Sequence, residues 1–509
     1  MRTRLGLIFA SVLVLAILVT GSPVSAQPKV LVIAIPSEPS HIDPSDSMGV
    51  QHDLNYHIYR KLYTFTPEMT PEPDLVASDR VSSDQKTWTL ELKRGITFFD
   101  GTPVNAAAVK YSIDRMLDPG RKAPMAILFR PIKEARVKGE YTIELETTEP
   151  FASLKNNLAH PNAGIISPKA DKELGARFGR APVSAGPYMV EEWVSGDKIT
   201  LTRFPGYQGS KPYYDKLVFR IVPAAETRLA MVERNEAQVA IRMPPTFVKV
   251  ANANSDLQLI RLEGTRLFYF WFNLEKPPLN DLRVRRALNL AVDRAAIIKS
   301  VALGAASPAR SVMEKLISYS CPVGELEFNP DQARKLLQEA GAAGARLKVI
   351  ASEGNHPLDR QVAEAVAGYL RDVGLVPELQ LMSDVAAYTE AMGKPEAHMG
   401  FVGWGGSTAD PDQYFKRQLW GKISGKPWNF AGYNNPKVDA LIDQGARTFP
   451  NAERAKIYCD AQRLAWNDWP WLILVRLDGI AFARADLTGI DVYVNSQAHV
   501  YTDTKPKGK

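Results

Sequence analysis

The chain runs to 509 residues, with 62 lysines and arginines against 56 aspartates and glutamates. At roughly 100 to 200 residues per domain that length allows two or three domains with ample core. Nothing in the composition is extreme, and a surplus of +6 spread so thinly excludes the clustered basic face that nucleic acid requires.

Residues 1–26 read as an export signal. Arg2 and Arg4 give a positive start, "LIFASVLVLAILV" is an apolar run of 13 residues, and "VSA" supplies small residues before a cleavage point after Ala26. The run is shorter than the roughly 20 residues of a bilayer span, and no cysteine follows it to take a lipid. The expected compartment is a bacterial periplasm or the outside. Removing the two arginines leaves a surplus of about +4.

In chain order, "TWTLEL" alternates with Trp88, Leu90 and Leu92 on one face, and "YTIELE" does the same with Ile143 and Leu145. "DGTPVNAAAVKYSIDRM" predicts a turn, a cap at Asn105 and a helix with Val109, Ile113 and Met116 inward. "KITLTRF" and "KLVFRIV" read as further strands, so the first half is rich in sheet. Helices are clearest later. "NDLRVRRALNLAVDRAAIIKSVA" puts Val284, Leu288, Ala291, Ala295 and Ile298 on one stripe. "NPDQARKLLQEAG" offers Asn329 as a cap, Pro330 in the first turn and Gly341 as a stop; "NNPKVDALIDQG" repeats that grammar with Pro436 early and Gly445 late.

"DRQVAEAVAGYLRDVGL" followed by "PELQLM" is an α/β unit. Two apolar runs, "RLFYFWFNL" at 266–274 and "WLILVRLDGIAF" at 471–482, bracket this second half. Read as strands between lobes they make a pair of crossings, the construction of a hinge; read as buried central strands they need no such role. Cys321 and Cys459 are the only cysteines, and a disulfide or two buried thiols both fit an exported protein.

Five blocks in order then resemble one family, the large solute-binding proteins of ABC importers that include dipeptide-, oligopeptide- and nickel-binding members. They are "SEPSHIDPSD"; "PEPDLVASDRVSSDQKTWTLELKRGITFFDGTPVNAAAVKYSIDRM"; "SAGPYMVEEWVSGDKITLTRFPGYQGSKPYYDKLVFRIV"; "FNLEKPPLNDLRVRRALNLAVDRAAII"; and "GWGGSTADPDQYF". The resemblance spans essentially all of the mature chain. It implies an α/β fold of two lobes joined by two hinge strands, with an extra subdomain in the first. The expected division is lobe I over 27–268 and 478–509, with an inserted subdomain at about 62–182, and lobe II over 269–477.

It also implies a receptor, not an enzyme, without a cofactor. Such a monomer would capture a peptide, opine, glycoside or similar metabolite between its lobes and pass it to a membrane permease. In peptide-binding relatives an aspartate of the "DPD" block meets the ligand's α-amino group, which points to Asp410, with Trp404 beside it. Glycines such as Gly403 and Gly405 would let main chain approach. Asp410 before Pro411 is equally a helix cap, and the two roles can coexist. Ser37, Glu38 and His41 follow the first strand, where relatives line the cleft. Trp428, in "KPWNFAGYNNP", follows the key loop, and Arg360 is the candidate for a peptide carboxylate.

Two other readings compete. A secreted hydrolase of peptides or glycosides finds no GxSxG, HExxH, CxxC or P-loop in the sequence, and its paired acids Asp410 and Asp412 diverge on a helix. Nickel capture would rest on His398 alone, and nickel favours imidazole.

Overall fold

The computed structural model describes residues 27–45, 50–313, 315–354, 356, 358–423, 428–493 and 498–509; the expected signal at 1–26 lies outside them. Its backbone is an 11-stranded mixed sheet. On one side Met399–Trp404, Arg346–Ser352 and Val376–Met382 extend it, and on the other Val239–Ala240, Val30–Ile35, Lys216–Ile221, Lys198–Arg203 and Tyr188–Val194. The centre is a pair of antiparallel strands, Leu257–Phe272 and Trp471–Arg484, the second also paired with the short eleventh strand Ala306–Pro308. These are the two apolar runs of the sequence, longer than the runs alone suggested.

The pair carries the chain from one half to the other and back. Residues before 257 and after 484 pack around Leu31, Ile33, Phe219 and Tyr188. Residues between the crossings form two cores, one around Phe270, Leu288 and Val366, the other around Trp271, Tyr458 and Trp471. The ladder of the crossing pair breaks between Leu262 and Arg266. There Gly264 sits at φ +61°, a backbone that glycine adopts without strain. Its N–H donates to Asp478 Oδ1 at 2.8 Å, and Arg261 Nε donates to Asp478 Oδ2 at 2.7 Å.

A separate four-stranded antiparallel sheet, Val76–Val81, Thr87–Leu92, Thr142–Thr147 and Ile132–Gly139, stands on the first half. Trp88, Leu90, Leu92, Ile143 and Leu145 all face its core, which the helix Ala106–Leu117 covers with Val109, Ile113 and Met116. Asn105 caps that helix by accepting from Ala108 N at 3.0 Å.

Two predicted helices differ. The stripe from 280 to 302 breaks at Val292, because Asp293 caps a new start by accepting from Ala296 N at 2.9 Å, and Ala295 points outward. The buried Arg294 guanidinium fills the break by donating to the carbonyls of Val292 and Ile473. Gly445 does not end its helix, which runs Pro436–Arg447; a Cβ there would lie 2.6 Å from the Tyr458 ring, so the glycine is a packing contact. Cys321 and Cys459 form a disulfide that ties the loop ahead of the helix Pro330–Glu339 to the helix Ala452–Asp468.

Candidate functional site

A cavity of about 950 Å³ lies where both halves and both crossing strands meet. The first half supplies Ser37, His52, His160 and the stretch Arg242–Pro245; the crossings supply Arg266 and residues 477–480. The second half supplies His356, Tyr388, the strand end 401–405, Arg417 and Trp428. A smaller cavity of about 380 Å³ is lined only by residues between 202 and 215 and touches neither crossing.

The strand Met399–Trp404 pairs with Leu257–Phe272, Gly403 opposite Phe268 and Trp404 opposite Leu267, which delivers the Gly-Trp-Gly sequence to the cavity wall. A Cβ on Gly403 would lie 2.7 Å from the Phe268 ring, 2.8 Å from His356 and 3.0 Å from Arg266. The glycine therefore admits the protein's own side chains. Arg266 Nη1 donates to the Gly403 carbonyl at 2.8 Å.

The chain then turns into the helix Pro411–Gln418. Arg417, on its last turn, packs against two indoles, 5.4 Å from the Trp404 ring centre and 5.0 Å from that of Trp428, geometry suited to cation–π attraction. The two rings are 5.0 Å apart. Arg417 Nε and Trp404 Nε1 are buried donors without an acceptor among the described residues. Trp428 is held at φ +85° and Arg242 at φ +53°, left-handed values that bulky residues rarely adopt and that concentrate at functional sites.

Electrostatically the wall is cationic. Arg242 Nη2 pairs with Asp53 at 3.0 Å behind the surface. Asp478 is the one carboxylate among the described lining residues, and Arg261 and the Gly264 N–H hold it. Burial pulls the Arg417 guanidinium down to about 10, which leaves it charged near neutrality. Burial, then the neighbouring Arg266, keeps the His356 imidazole well below its usual value; burial, then the charges of His52, Arg417 and Lys61, does the same to His160. Both rings are neutral at physiological pH.

Of the residues singled out in the sequence, Trp404, Gly403, Gly405, Ser37 and Trp428 come together on this wall. Asp410, Glu38, His41 and Arg360 do not line it, each for a local reason. Asp410 is 3% exposed: its carboxylate accepts from Arg454 Nη1 and Nη2 at 2.7 and 2.9 Å, from Ser153 Oγ at 2.7 Å, and from Asp412 N at 3.0 Å as a helix cap. Glu38 accepts from Trp193 Nε1 and Gly196 N. His41 Nδ1 accepts from Asp43 N, and its side chain packs where Gly179 leaves room. Arg360 is tied to Glu353, just past the strand Arg346–Ser352, and to Glu364 one turn along its own helix. His398, the nickel candidate, also lies off the wall, accepting from Lys348 N at 3.0 Å, and no group of three or more metal-ligating side chains occurs among the described residues.

Arg417, Arg266, Arg242 and Tyr388 were missed. In "YFKRQL" Arg417 reads as a solvated charge; the available signal was its place four residues after Gln413, hence on the same helix face, where Gln413 itself accepts from the lining Ser407 at 3.0 Å.

The halves also meet away from the crossings. Ser153 bonds Asp410 as above, Asn156 Nδ2 donates to the Thr408 carbonyl at 2.9 Å, Ala152 N to the Ala446 carbonyl at 3.0 Å, and Arg447 pairs with Glu149 at 2.7 Å.

Residues 70–425 match the family model of bacterial extracellular solute-binding proteins, family 5. The chain is 31% identical over 471 residues to the glutathione-binding protein GsiB of Escherichia coli, covering 91% of each, and 32% identical over 480 residues to that of Pectobacterium atrosepticum, covering 93% of each. Its fold is similar to that of a dipeptide-binding protein from Pseudoalteromonas in complex with Met-Leu, at TM-score 0.82 and 23% identity, with 94% of this chain and 100% of that one covered. It is similar too to the periplasmic binding protein DppA of Helicobacter pylori in complex with a peptide, at TM-score 0.81 and 23% identity, with 94% and 98% covered.

Proposed function

Because the chain belongs to the bacterial extracellular solute-binding proteins, family 5, we propose that the cavity between its crossing strands is where a small peptide-like solute is captured for import. The protein is the solute-binding receptor of an ABC importer, and its partners are a small solute and the permease subunits. Glutathione, named for the relatives, sets the size and chemistry of the first candidate. Hydrolysis of peptides or glycosides finds no support among these relatives, which are binding proteins. No helix among the described residues is long and apolar enough to cross a membrane; export with cleavage behind Ala26 is proposed from the sequence of residues 1–26.

One observation carries the reading: a single cavity takes its wall from both halves and from both strands that join them. A solute touching both walls shifts the population toward the closed arrangement, because only that arrangement offers all its contacts. Trp404, Trp428 and Arg417 are assigned to ligand contact on the second half, Ser37 and Arg242 on the first. The lobes are divided near residues 268 and 477.

The test is to add glutathione and a panel of small peptides, following melting temperature and the radius of gyration by small-angle scattering. A bound solute raises the first and lowers the second. Tight binding with an unchanged radius rules out capture by closure.

A further inference from the structure

We infer that the cavity selects a carboxylate-bearing solute in which any ammonium group brings its own neutralising carboxylate. This deepens the receptor reading and rests on it. Arg417 has no ion-pair partner among the described residues; its contacts are the faces of Trp404 and Trp428, and its Nε is buried without an acceptor. The residue is half-buried, and a guanidinium partly withdrawn from water without an anion is costly. A planar carboxylate accepts from two guanidinium N–H groups at once, which offsets that cost and fixes orientation. Trp404 Nε1, likewise buried without an acceptor, is a further donor on the same wall.

The complementary half of the argument concerns acids. A free α-ammonium in a desolvated site needs a carboxylate beside it. Asp478, the acid on the described wall, is 5% exposed and has both oxygens engaged, Oδ1 by Gly264 N and Oδ2 by Arg261. Asp53 lies behind Arg242 and also accepts from His499 N. Asp410, the expected amine receptor, is sealed by Arg454 and Ser153. Among the described residues the wall thus offers positive charge and no acid to spare. An N-blocked peptide acid fits, and so does a γ-glutamyl head, whose ammonium sits beside its own α-carboxylate. A peptide amide with a free amino end does not.

The test compares three probes by isothermal titration: glutathione, a pool of N-acetylated dipeptide acids, and the same dipeptides with free amino ends and C-terminal amides. The acids and glutathione bind about thirtyfold or more tighter than the amides, the scale of hydrogen bonds to charged groups. Arg417→Gln closes the gap, and Arg417→Lys, which keeps the charge, restores part of it. Amides that bind as tightly as the acids, a gap that survives Arg417→Gln, or failure of every acid probe to bind overturns the inference. Scattering on the same samples keeps the two readings apart. Amides that bind and compact the protein leave the receptor standing while sinking its anion preference; ligands that bind without compaction sink capture by closure itself.

Discussion

Ser153 and Asp410, 257 positions apart in sequence, share a 2.7 Å hydrogen bond that joins the two halves of the protein. Asp410 is held on its other side by Arg454, itself 1% exposed. The carboxylate is therefore both a helix cap and one jaw of a clasp, and Ser153 is the part that must separate when the halves part.

The two sides of the clasp respond differently to mutation. Asp410→Asn leaves the Arg454 guanidinium buried without its counter-charge, and breaking such a pair costs about 3–5 kcal/mol, visible as a large fall in melting temperature. Ser153→Ala leaves the Arg454–Asp410 pair in place and removes two bonds between the halves, the one Ser153 Oγ donates to Asp410 and the one it accepts from Arg454 Nη2 at 3.0 Å, each to a charged group and so worth about 1.5–3 kcal/mol. It enlarges the ligand-free radius in scattering and weakens solute binding, with a small change in melting temperature. Were Asp410 a receptor for ligand ammonium, its asparagine variant would lose binding and keep its stability.

The Cys321–Cys459 bond closes a loop with a sequence separation of 138, within the segment between the crossings. Constraining the unfolded chain over such a span is worth about 2–5 kcal/mol. Reduction, or the double substitution to serine, lowers the calorimetric transition of that half and leaves the other half in place. Identical scans with and without reductant exclude this contribution.

Gly403→Ala places a methyl group against Phe268, His356 and Arg266, at separations of 2.7 to 3.0 Å. Overpacking of this kind costs about 1–3 kcal/mol. The strand end moves and Trp404 moves with it, so solute affinity falls about tenfold or more for a displacement of that cost. Wild-type affinity in this variant contradicts the packing role given to Gly403.

Acid weakens the fold through its histidines. His57 accepts from Tyr501 N at 2.9 Å, its Nδ1 lies 2.6 Å from the Asp53 carbonyl, and burial pulls its imidazole down to about 4. The unfolded chain takes up the proton first, near 6.5. Stability is thus full above that pH and falls between 6.5 and 4, by about 3 kcal/mol for His57 alone. His160 and His356 shift in the same direction. Asp43 is half-buried, which opposes ionisation, yet Arg115 beside it holds its carboxyl down at about 2. Its contribution is lost only between the usual carboxylate value near 3.8 and 2, a lower window. Urea midpoints at pH 7.5 and 4.5 measure the effect, and a His57 ring resonance that titrates near 6.5 in the folded protein contradicts it.

Much of the fold was legible because burial leaves a periodic trace. Trp88, Leu90 and Leu92 alternate and all turn inward, and the caps at Asn105 and Asn329 accept the N–H groups their spacing predicts. The site was half legible. Trp404, Gly403 and Gly405 lie together in sequence and in space, whereas Arg417 and Asp410 exchange the roles that local context suggests. What sealed Asp410 is Arg454, far along the chain, and no local pattern announces a partner that tertiary packing brings. The same holds for Gly445, whose helix continues because the Tyr458 ring fills the space beside it.

The crossing strands lie in one hydrogen-bonded sheet, with the gap at Gly264 as its weakest rung. For the closure proposed above, this makes them a torsion bar rather than a flexible tether: a paired ladder resists sliding and separation more than twist. Each wall of the cavity can then swing as a preassembled surface, its indoles and guanidinium keeping their mutual spacing while the distance to the facing wall changes.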